Sequence, residues 1–399
     1  MLKSKIFGAT MLVAGTAIGA GVLAVPLLVA DGGFFPSIIW YLVSCFFAVF
    51  SGYCVLEVTN WDKEKAGANF ASLTKLSMGS VGKILFTSVY ILFLYAILVA
   101  YFCEGGNLLF RVFGNAISSA SFDGTGYRFI GPLLFFGLMF FFVSSGIKVA
   151  DRFNRILVVG LILSFLLFCV LGFTDIRFDL LKHCSWESSL RGFPVLFLSF
   201  GYQLVIPSLF YYLDRSIKQV KKAIILGVTV PLGCYIIWNL LVLGVVPLDL
   251  LHHSLESGHT AAMALKLSLS SPAFYVAGEC FAFFALTSSF IGVSVGFIDF
   301  LADELKWDKK CKKLQLLILI FGIPLSLSII YPDLVLKCLH YGAGTGAALL
   351  TGIFPILMVW LGRGKRCSLG KQKVLPGGNF MLLILLVIVM FDLFIIGFK

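Results

Sequence analysis

Small and polar residues that interrupt long apolar stretches are the parts of this sequence best suited to chemistry. The first interruption, in VAGTAIGAGVLAVP from Val13, consists of Gly15, Thr16, Gly19, Gly21 and Pro26. In hydrocarbon every backbone amide must be hydrogen-bonded, so an irregular stretch is stable only beside protein or a water-filled cavity. A helix that stops and restarts there presents free amide groups and a positive dipole end. Such an end binds an anion, for example a carboxylate.

A second interruption strengthens this interpretation. Gly15 and Gly19 also form a GxxxG spacing, which close packing of two helices explains equally well. A later apolar stretch, FPVLFLSFGYQLVIPSLFYYLD, contains further helix breakers and weak helix formers. They are Pro194, Ser199, Gly201, Gln203 and Pro207. Two interrupted helices predict a cavity between them.

Carboxyl groups inside apolar stretches are candidates for ion coupling, because each costs roughly 3 kcal/mol at mid-span. The four candidates are Glu104, Glu279, Asp392 and Asp214. Glu104 follows Tyr101 by three residues and lies on nearly the same helix face, where burial would favour a carboxyl able to carry a proton. Hydration at a span end explains Glu279 equally well. Asp214 is the weakest candidate, because it precedes Arg215 at the membrane edge. An ion pair or solvent is enough to stabilise its charge there.

Three consecutive hydroxyls offer a different means of coupling. Thr287, Ser288 and Ser289 lie in an apolar stretch. Their oxygens could hold a sodium ion. They could equally bond back to the preceding helical turn.

Paired carboxylates raise the alternative of a membrane enzyme that holds a metal diphosphate. The pairs are Asp175 with Asp179 and Asp299 with Asp303, both spaced DxxxD. Counting apolar spans puts the two pairs on opposite sides of the membrane, so they cannot share a metal ion. The ten cysteines are scattered singly, without a CxxC pair. We therefore expect no metal, no cofactor and no enzyme.

The elements that position these residues are membrane helices. The chain has 399 residues, of which 59% are hydrophobic and 13% charged, and its mean hydropathy is +1.00. Such a composition is typical of a polytopic membrane protein. Eleven spans are predicted at about 6–30, 35–57, 84–110, 129–147, 155–173, 192–213, 223–246, 274–300, 314–331, 335–361 and 378–397.

The net charge of +11 is explained by the orientation of the chain in the membrane and not by nucleic-acid binding. Most Lys and Arg residues fall in alternate loops, on the side of the N-terminus. By the positive-inside rule this predicts a cytoplasmic N-terminus and an external C-terminus. The partner implied is the lipid bilayer, with weak attraction to anionic headgroups.

The positions of the interruptions suggest internal symmetry. Spans one and six are each the first of a group of five, as expected for two five-span repeats of opposite orientation. The sequence thus predicts a single all-α transmembrane domain over residues 1–399. Its repeats cover about 6–173 and 192–361, and an extra helix covers about 378–397.

Several motifs resemble those of the hydroxy and aromatic amino acid permeases, in the tyrosine and tryptophan branch. They are VAGTAIGAGVLAVP, LEV at Leu56, YAILVAY at Tyr95, FNR at Phe153, SFGYQLVIPSLFYYLD at Ser199, SFIGVSVGFIDFLAD at Ser289 and YP at Tyr331. The first, fifth and sixth are specific to the family, and the resemblance covers nearly the whole chain.

The resemblance implies a LeuT-type fold in the inner membrane and symport of an aromatic amino acid, tyrosine first and tryptophan second. The substrate is expected between spans one, three, six and eight. The residues implied are Gly15, Thr16, Gly19, Gly21, Tyr95, Tyr101, Phe200, Gly201 and Tyr202. Protons are the implied coupling ion, although span five lacks the lysine of some proton-coupled members, and sodium is the alternative. A serine, threonine or other neutral amino acid permease is the alternative in substrate.

Overall fold

The chain folds into helices throughout the part described by the computed structural model. That part comprises residues 2–18, 21–62, 69–117, 127–145, 147–257, 260–269, 272–308, 311–331, 344–365 and 373–397. Two compact units divide the chain. Unit 1 comprises Met1–Ile91, Arg177–Gly244 and Gly344–Lys399, and unit 2 comprises Leu92–Ile176 and Val245–Ala343. Each unit draws on both halves of the sequence.

Long helices dominate both units. The α-helices are α1 (Leu2–Ala17), α2 (Gly21–Val29), α3 (Phe34–Trp61), α4 (Phe70–Ile117), α5 (Tyr127–Ser144), α6 (Ile147–Gly172), α7 (Trp186–Ser189), α8 (Phe193–Ser199), α9 (Ile206–Tyr212), α10 (Ile217–Val245), α11 (Leu248–Glu256), α12 (Ala261–Leu269), α13 (Pro272–Leu305), α14 (Lys313–Ile330), α15 (Phe354–Lys365) and α16 (Gly378–Gly397). A π-helix, Ala348–Ile353, precedes α15. Short 3₁₀ turns cover Ala30–Gly32, Phe173–Asp175, Leu180–Lys182, Leu190–Gly192 and Gln203–Val205.

Within the described residues, eight helical segments are long and apolar enough to cross a membrane. They fall on predicted spans two, three, five to nine and eleven. Three shorter apolar helices, Lys5–Ala17, Ile130–Ser144 and Ala348–Gly364, fall on spans one, four and ten. A short helical stretch from Phe70 precedes span three within α4, and the two are separated by a kink at Gly79, whose φ of 82° is in the region that favours glycine. Hydropathy marks only the apolar part of that helix.

Helix α6 shows how one helix serves both protein and lipid. Its buried face repeats every three or four residues, at Leu157, Leu161, Ser164 and Phe168. Large apolar side chains on the remaining faces are exposed, namely Ile156, Val159, Leu163, Leu166 and Val170. A Cβ built on Gly160 would lie 2.7 Å from the Phe284 ring, so glycine lets α6 approach α13 closely. The exposed apolar stripe is suited to contact with lipid.

A buried ion pair fastens one end of unit 1. The Glu57 side chain is 1% exposed, and Arg363 donates to it from Nε at 2.7 Å and from Nη2 at 3.0 Å. The backbone amides of Val374 and Leu375 each donate to Glu57 Oε2 at 2.9 Å. Lys221 Nζ donates to the Val374 carbonyl at 2.6 Å. These bonds tie α3, α10 and α15 to the chain that leads into α16.

Two segments of unit 1, the chain after α2 and the chain before α8, are in close contact. The Ser185 amide donates to the Gly32 carbonyl at 3.0 Å. A Cβ on Gly32 would lie 2.5 Å from Cβ of Ser189, which leaves no room for a side chain. The next residue, Gly33, has a φ of 82°. Glycine at both positions therefore lets the end of α2 pack against the chain that leads into α8.

Candidate functional site

Span one is divided in two, as its glycines predict. Helix α1 ends at Ala17, the Ile18 amide still bonds back to the Ala14 carbonyl at 2.8 Å, and α2 begins at Gly21. Gly15 and Thr16, in the last turn of α1, are exposed. Gly19, another predicted residue of this segment, lies outside the described residues. The break leaves carbonyl groups at the end of α1 and amide groups at the start of α2.

The Thr16 hydroxyl is already engaged by the helix. It donates to the Leu12 carbonyl at 2.7 Å, one turn earlier. Its oxygen keeps capacity as an acceptor, so Thr16 can still receive a hydrogen bond from a ligand amine.

Span six is interrupted over residues 200–205. Helix α8 ends at Ser199, a 3₁₀ turn covers Gln203–Val205, and α9 begins at Ile206. Oε1 of the buried Gln203 side chain accepts a hydrogen bond from the Tyr202 amide at 2.9 Å. This bond satisfies one of the amides that the interruption frees. Gln203 therefore stabilises the unwound segment, a role that its position mid-span did not reveal.

The predicted residues of this segment have different surroundings. Phe200 and Tyr202 are buried, and the Tyr202 hydroxyl donates to the Ala48 carbonyl of α3 at 2.9 Å. A Cβ on Gly201 would lie 3.0 Å from the Leu198 carbonyl oxygen. Gly201 thus permits the tight path of the backbone, and Tyr202 fixes that path against α3.

Tyr235 of α10 connects the two breaks. Its hydroxyl lies 2.9 Å from the Ala17 carbonyl at the end of α1 and 3.4 Å from the Ser199 carbonyl at the end of α8. A hydroxyl has one proton, so it donates to one carbonyl at a time. Trp238, one turn after Tyr235 in α10, contacts α2, because its Nε1 donates to the Val22 carbonyl at 2.8 Å. Sequence reasoning missed Tyr235, whose only sign was a polar aromatic residue in the middle of span seven.

Unit 1 therefore gathers partial charges of both signs. The carbonyl ends of α1 and α8, which carry negative dipole character, meet at one hydroxyl. The start of α2, nearby along the chain, carries the positive end of a helix dipole. This combination suits a zwitterion, whose ammonium group would lie at the carbonyl ends and whose carboxylate would lie at the amide end.

Removal of the Tyr235 hydroxyl is expected to loosen this arrangement. Tyr235→Phe keeps the ring contacts with Tyr41 at 5.8 Å and Phe200 at 5.7 Å. The loss of one hydrogen bond of about 1.4 kcal/mol should weaken the apparent affinity for a zwitterionic ligand by about tenfold. Direct binding to the purified protein would measure it. Tyr211→Phe, which loses the bond to Asp62 at 2.6 Å, is the control, and equal affinities in both variants would contradict a role for Tyr235.

In unit 2 two of the predicted residues come together. Tyr101 of α4 shares a hydrogen bond with Ser289 of α13, and its ring lies 6.1 Å from that of Phe290. Tyr95 points elsewhere, since its hydroxyl donates to the Leu319 carbonyl of α14 at 3.0 Å and its ring packs on Phe297. The geometry thus links Tyr101 to the hydroxyl run of span eight and links Tyr95 to span nine.

The ion-coupling candidates also differ in their surroundings. Glu104 and Glu279 are half-buried, and each has an interacting partner. Ser288 bonds back to the Ala285 carbonyl at 3.1 Å. Thr287 is fully buried, and its hydroxyl has no hydrogen-bond partner among the described residues. Of the candidate hydroxyls, Thr287 therefore has the strongest need for a ligand.

Two of the other carboxylates named above form ion pairs at the surface. Asp214 is largely exposed and pairs with Lys5 at 2.8 Å. Asp179, in one of the DxxxD pairs, is exposed and pairs with Lys182. Over the described ranges, no group of three or more His, Cys, Asp and Glu side chains is arranged to hold a metal ion.

The fold resembles that of a solved structure. The crystal structure of MhsT in complex with L-phenylalanine superposes with a TM-score of 0.66, covering 96% of this chain and 98% of that chain at 16% identity. At this identity the likeness concerns the fold alone, which is the LeuT fold.

Sequence comparison extends over the same length. Tyrosine-specific transport system 1 of Haemophilus influenzae is 31% identical over 392 residues, covering 96% of this chain and 94% of the relative. The tryptophan-specific transport protein of that organism is 31% identical over 396 residues, with the same coverage. A model of the tryptophan/tyrosine permease family matches residues 2–395. The relatives and the family are named for transport and not for catalysis, and this integral membrane chain belongs to the tryptophan/tyrosine permease family.

Proposed function

We propose that the protein is a secondary active transporter that imports an aromatic amino acid, tyrosine first and tryptophan second. The observation that carries the proposal is the meeting of the two interrupted helices at the Tyr235 hydroxyl. An amino acid is a zwitterion, and unit 1 offers carbonyl ends for its ammonium group and the start of α2 for its carboxylate. Neither charge then needs a buried ionised side chain.

The aromatic preference is supported by two independent lines. The relatives with 31% identity are named for tyrosine and for tryptophan. In unit 1, the Tyr235 hydroxyl lies at the two helix breaks. The ring of Tyr235 contacts the rings of Tyr41 and Phe200. Aromatic rings of this kind stack favourably on an aromatic substrate. Tyr95 and Tyr101 stay sequence-based candidates for contact with the substrate.

Alternating access is the proposed mechanism, and the division of the chain supports it. Unit 1 contains spans one and two together with spans six and seven, which are corresponding members of the proposed five-span repeats. Repeats of opposite orientation commonly move as rigid bodies around a fixed substrate site. The interrupted helices would carry the substrate site within such a body.

Protons are the proposed coupling ion. Half-buried carboxyls in spans three and eight, Glu104 and Glu279, support them. The unpartnered Thr287 hydroxyl favours sodium as the second candidate, because a hydroxyl oxygen is a common ligand of that ion in related folds.

We also propose residence in the inner membrane, with a cytoplasmic N-terminus and an external C-terminus. The distribution of the 31 Lys and Arg residues along the chain supports this orientation.

Uptake by proteoliposomes tests the proposal. We expect labelled tyrosine to accumulate above equilibrium when the lumen is made alkaline, because inward proton flow then drives substrate inward, and a protonophore should abolish this accumulation. Among the twenty amino acids, tyrosine and then tryptophan should compete best. Accumulation driven by a sodium gradient alone would identify the second ion, and best competition by serine or threonine would contradict the aromatic assignment. Uptake that ignores every gradient would contradict symport.

A further inference from the structure

Asp392 is a carboxyl group buried in α16, the last membrane helix of unit 1. It is 0% exposed, and neither carboxyl oxygen has a hydrogen-bond partner among the described residues. An ionised carboxylate in such surroundings is far more costly than a neutral one. In this packing Asp392 therefore holds a proton.

Its surroundings are apolar on the side that packs against protein. The buried stripe of α16 repeats every three or four residues, at Leu382, Leu385, Val389, Asp392 and Ile396. The adjacent Phe391 ring lies 5.9 Å from that of Trp40 in α3 and 5.8 Å from that of Phe193 in α8. Asp392 thus occupies a position in the stripe where every other member is aliphatic.

A second buried polar group without a partner lies on α3, which packs against α16. Ser44 lies between Trp40 and Phe47 on one face of α3, and its buried hydroxyl has no hydrogen-bond partner in the described part of the chain. Each of these two groups, on adjoining helices, lacks a hydrogen bond in this packing and would gain one from a water molecule.

The neighbouring helices carry other titratable groups, and contacts are described for four of them, Glu57, Arg363, Tyr41 and Tyr53. Helix α16 packs against α3, α8, α15 and the π-helix. Of these, α8 and the π-helix carry no titratable side chain, α3 carries Tyr41, Cys45, Tyr53, Cys54 and Glu57, and α15 carries Arg363 and Lys365. Glu57 and Arg363 pair with each other, and Arg363 also donates to Asn379 at the opposite end of α16. Tyr41 stacks on Tyr235, and the Tyr53 ring lies below Lys221.

Packing connects Asp392 to the break in span six. One turn before it, Val389 is so close to the π-helix that a Cβ on Gly352 would lie 2.5 Å from Val389 Cγ2. The neighbouring Thr351 places its Cγ2 4.0 Å from a Cβ built on Gly201, in the unwound segment. π-Helical turns are frequent at functional sites. A movement of α16 would therefore be transmitted to the unwound segment.

We propose that Asp392 is the carboxyl that binds and releases the coupling proton, and this inference rests on the proposed function. With its proton, Asp392 is neutral and α16 packs dry on α8 and the π-helix. When water enters, the carboxyl gives one proton to water and becomes a carboxylate, which needs hydration and separates these helices. Because linkage is reciprocal, a substrate bound at the break then favours one of the two states.

Two variants test the proposal in proteoliposomes. Asp392→Asn and Asp392→Leu both stay neutral, so neither can cycle a proton. We expect each to retain exchange of labelled tyrosine across vesicles with no gradient, and to lose proton-driven accumulation by about tenfold or more. Asp249→Asn, at an exposed carboxyl in α11, is the control and should behave as the native protein does. Proton-driven accumulation at the native level in either Asp392 variant would overturn the proposal.

An infrared measurement separates this inference from the proposed function. At neutral pH, the spectrum of the native protein minus that of Asp392→Asn should show the carbonyl absorption of one protonated carboxyl. If this difference band is absent, Asp392 holds no proton and the proposal is wrong. If the band is present but the native protein exchanges neither tyrosine nor tryptophan, the proposed function has failed, and the coupling role is overturned with it.

Discussion

Glu57→Ala is expected to destabilise the purified protein by about 3 to 5 kcal/mol. The substitution removes the acceptor of four hydrogen bonds, two from Arg363 and one each from Val374 and Leu375. It leaves the Arg363 guanidinium, whose side chain is 16% exposed, without its anion, and it leaves two backbone amides without an acceptor. Unpaired buried charge accounts for most of the cost. Thermal unfolding in detergent measures it.

The surface pair between Lys5 and Asp214 provides the matched control. Asp214 is 66% exposed, so Asp214→Asn removes an ion pair that water and salt largely screen, worth about 0 to 1 kcal/mol. The double variant Glu57→Ala with Arg363→Met should recover part of the stability, because it removes the unpaired cation. A Glu57→Ala protein as stable as Asp214→Asn would show that the buried pair does not fasten unit 1.

Local composition was enough to predict where the membrane helices stop. Gly15 to Pro26 and Ser199 to Pro207 are stretches in which the residues themselves oppose a continuous helix, and the structure interrupts both spans there. Hydropathy likewise located the long apolar helices, because the cost of burying polar backbone in lipid acts on each segment separately.

Contacts between distant segments were beyond sequence reasoning. The Tyr235 hydroxyl and the Ala17 carbonyl are 218 residues apart in the chain, and Glu57 and Arg363 are 306 apart. Nothing local distinguishes Tyr235 from any other tyrosine in an apolar helix, or Glu57 from a carboxylate at a hydrated helix end. The pairing becomes visible only when packing places the partners together, so the positioning residues of the site were missed although its breaks were found.

The same limit applies to the choice among carboxyl groups. Sequence reasoning listed Asp392 among four candidates for ion coupling, but it favoured Glu104, because Glu104 shares a helix face with Tyr101. The structure gives Glu104 an interacting partner and half-burial. It buries Asp392 fully in an aliphatic stripe. Depth within a span is readable from the sequence, whereas the polarity of the neighbouring helices is not.

Gly15→Leu is expected to reduce tyrosine uptake to the background of empty vesicles while leaving the fold intact. Gly15 lies two residues before the end of α1, it is exposed, and no described atom lies within 4 Å of a Cβ built on it. A leucine side chain would therefore enter open space beside the carbonyl end of α1. If the ammonium end of the substrate binds there, the added side chain occupies its place.

A second glycine provides the control for this prediction. Gly137 in α5 is also exposed, and a Cβ built on it likewise meets no described atom within 4 Å. Gly137→Leu carries the same helix-propensity change in a helix that holds none of the predicted site residues, so it should transport at the native rate. Both variants should elute as the native protein does and unfold at similar temperatures. Native uptake by Gly15→Leu would remove the end of α1 from the substrate site, whereas loss of uptake in Gly15→Leu alone would establish that the end of α1 is needed for transport.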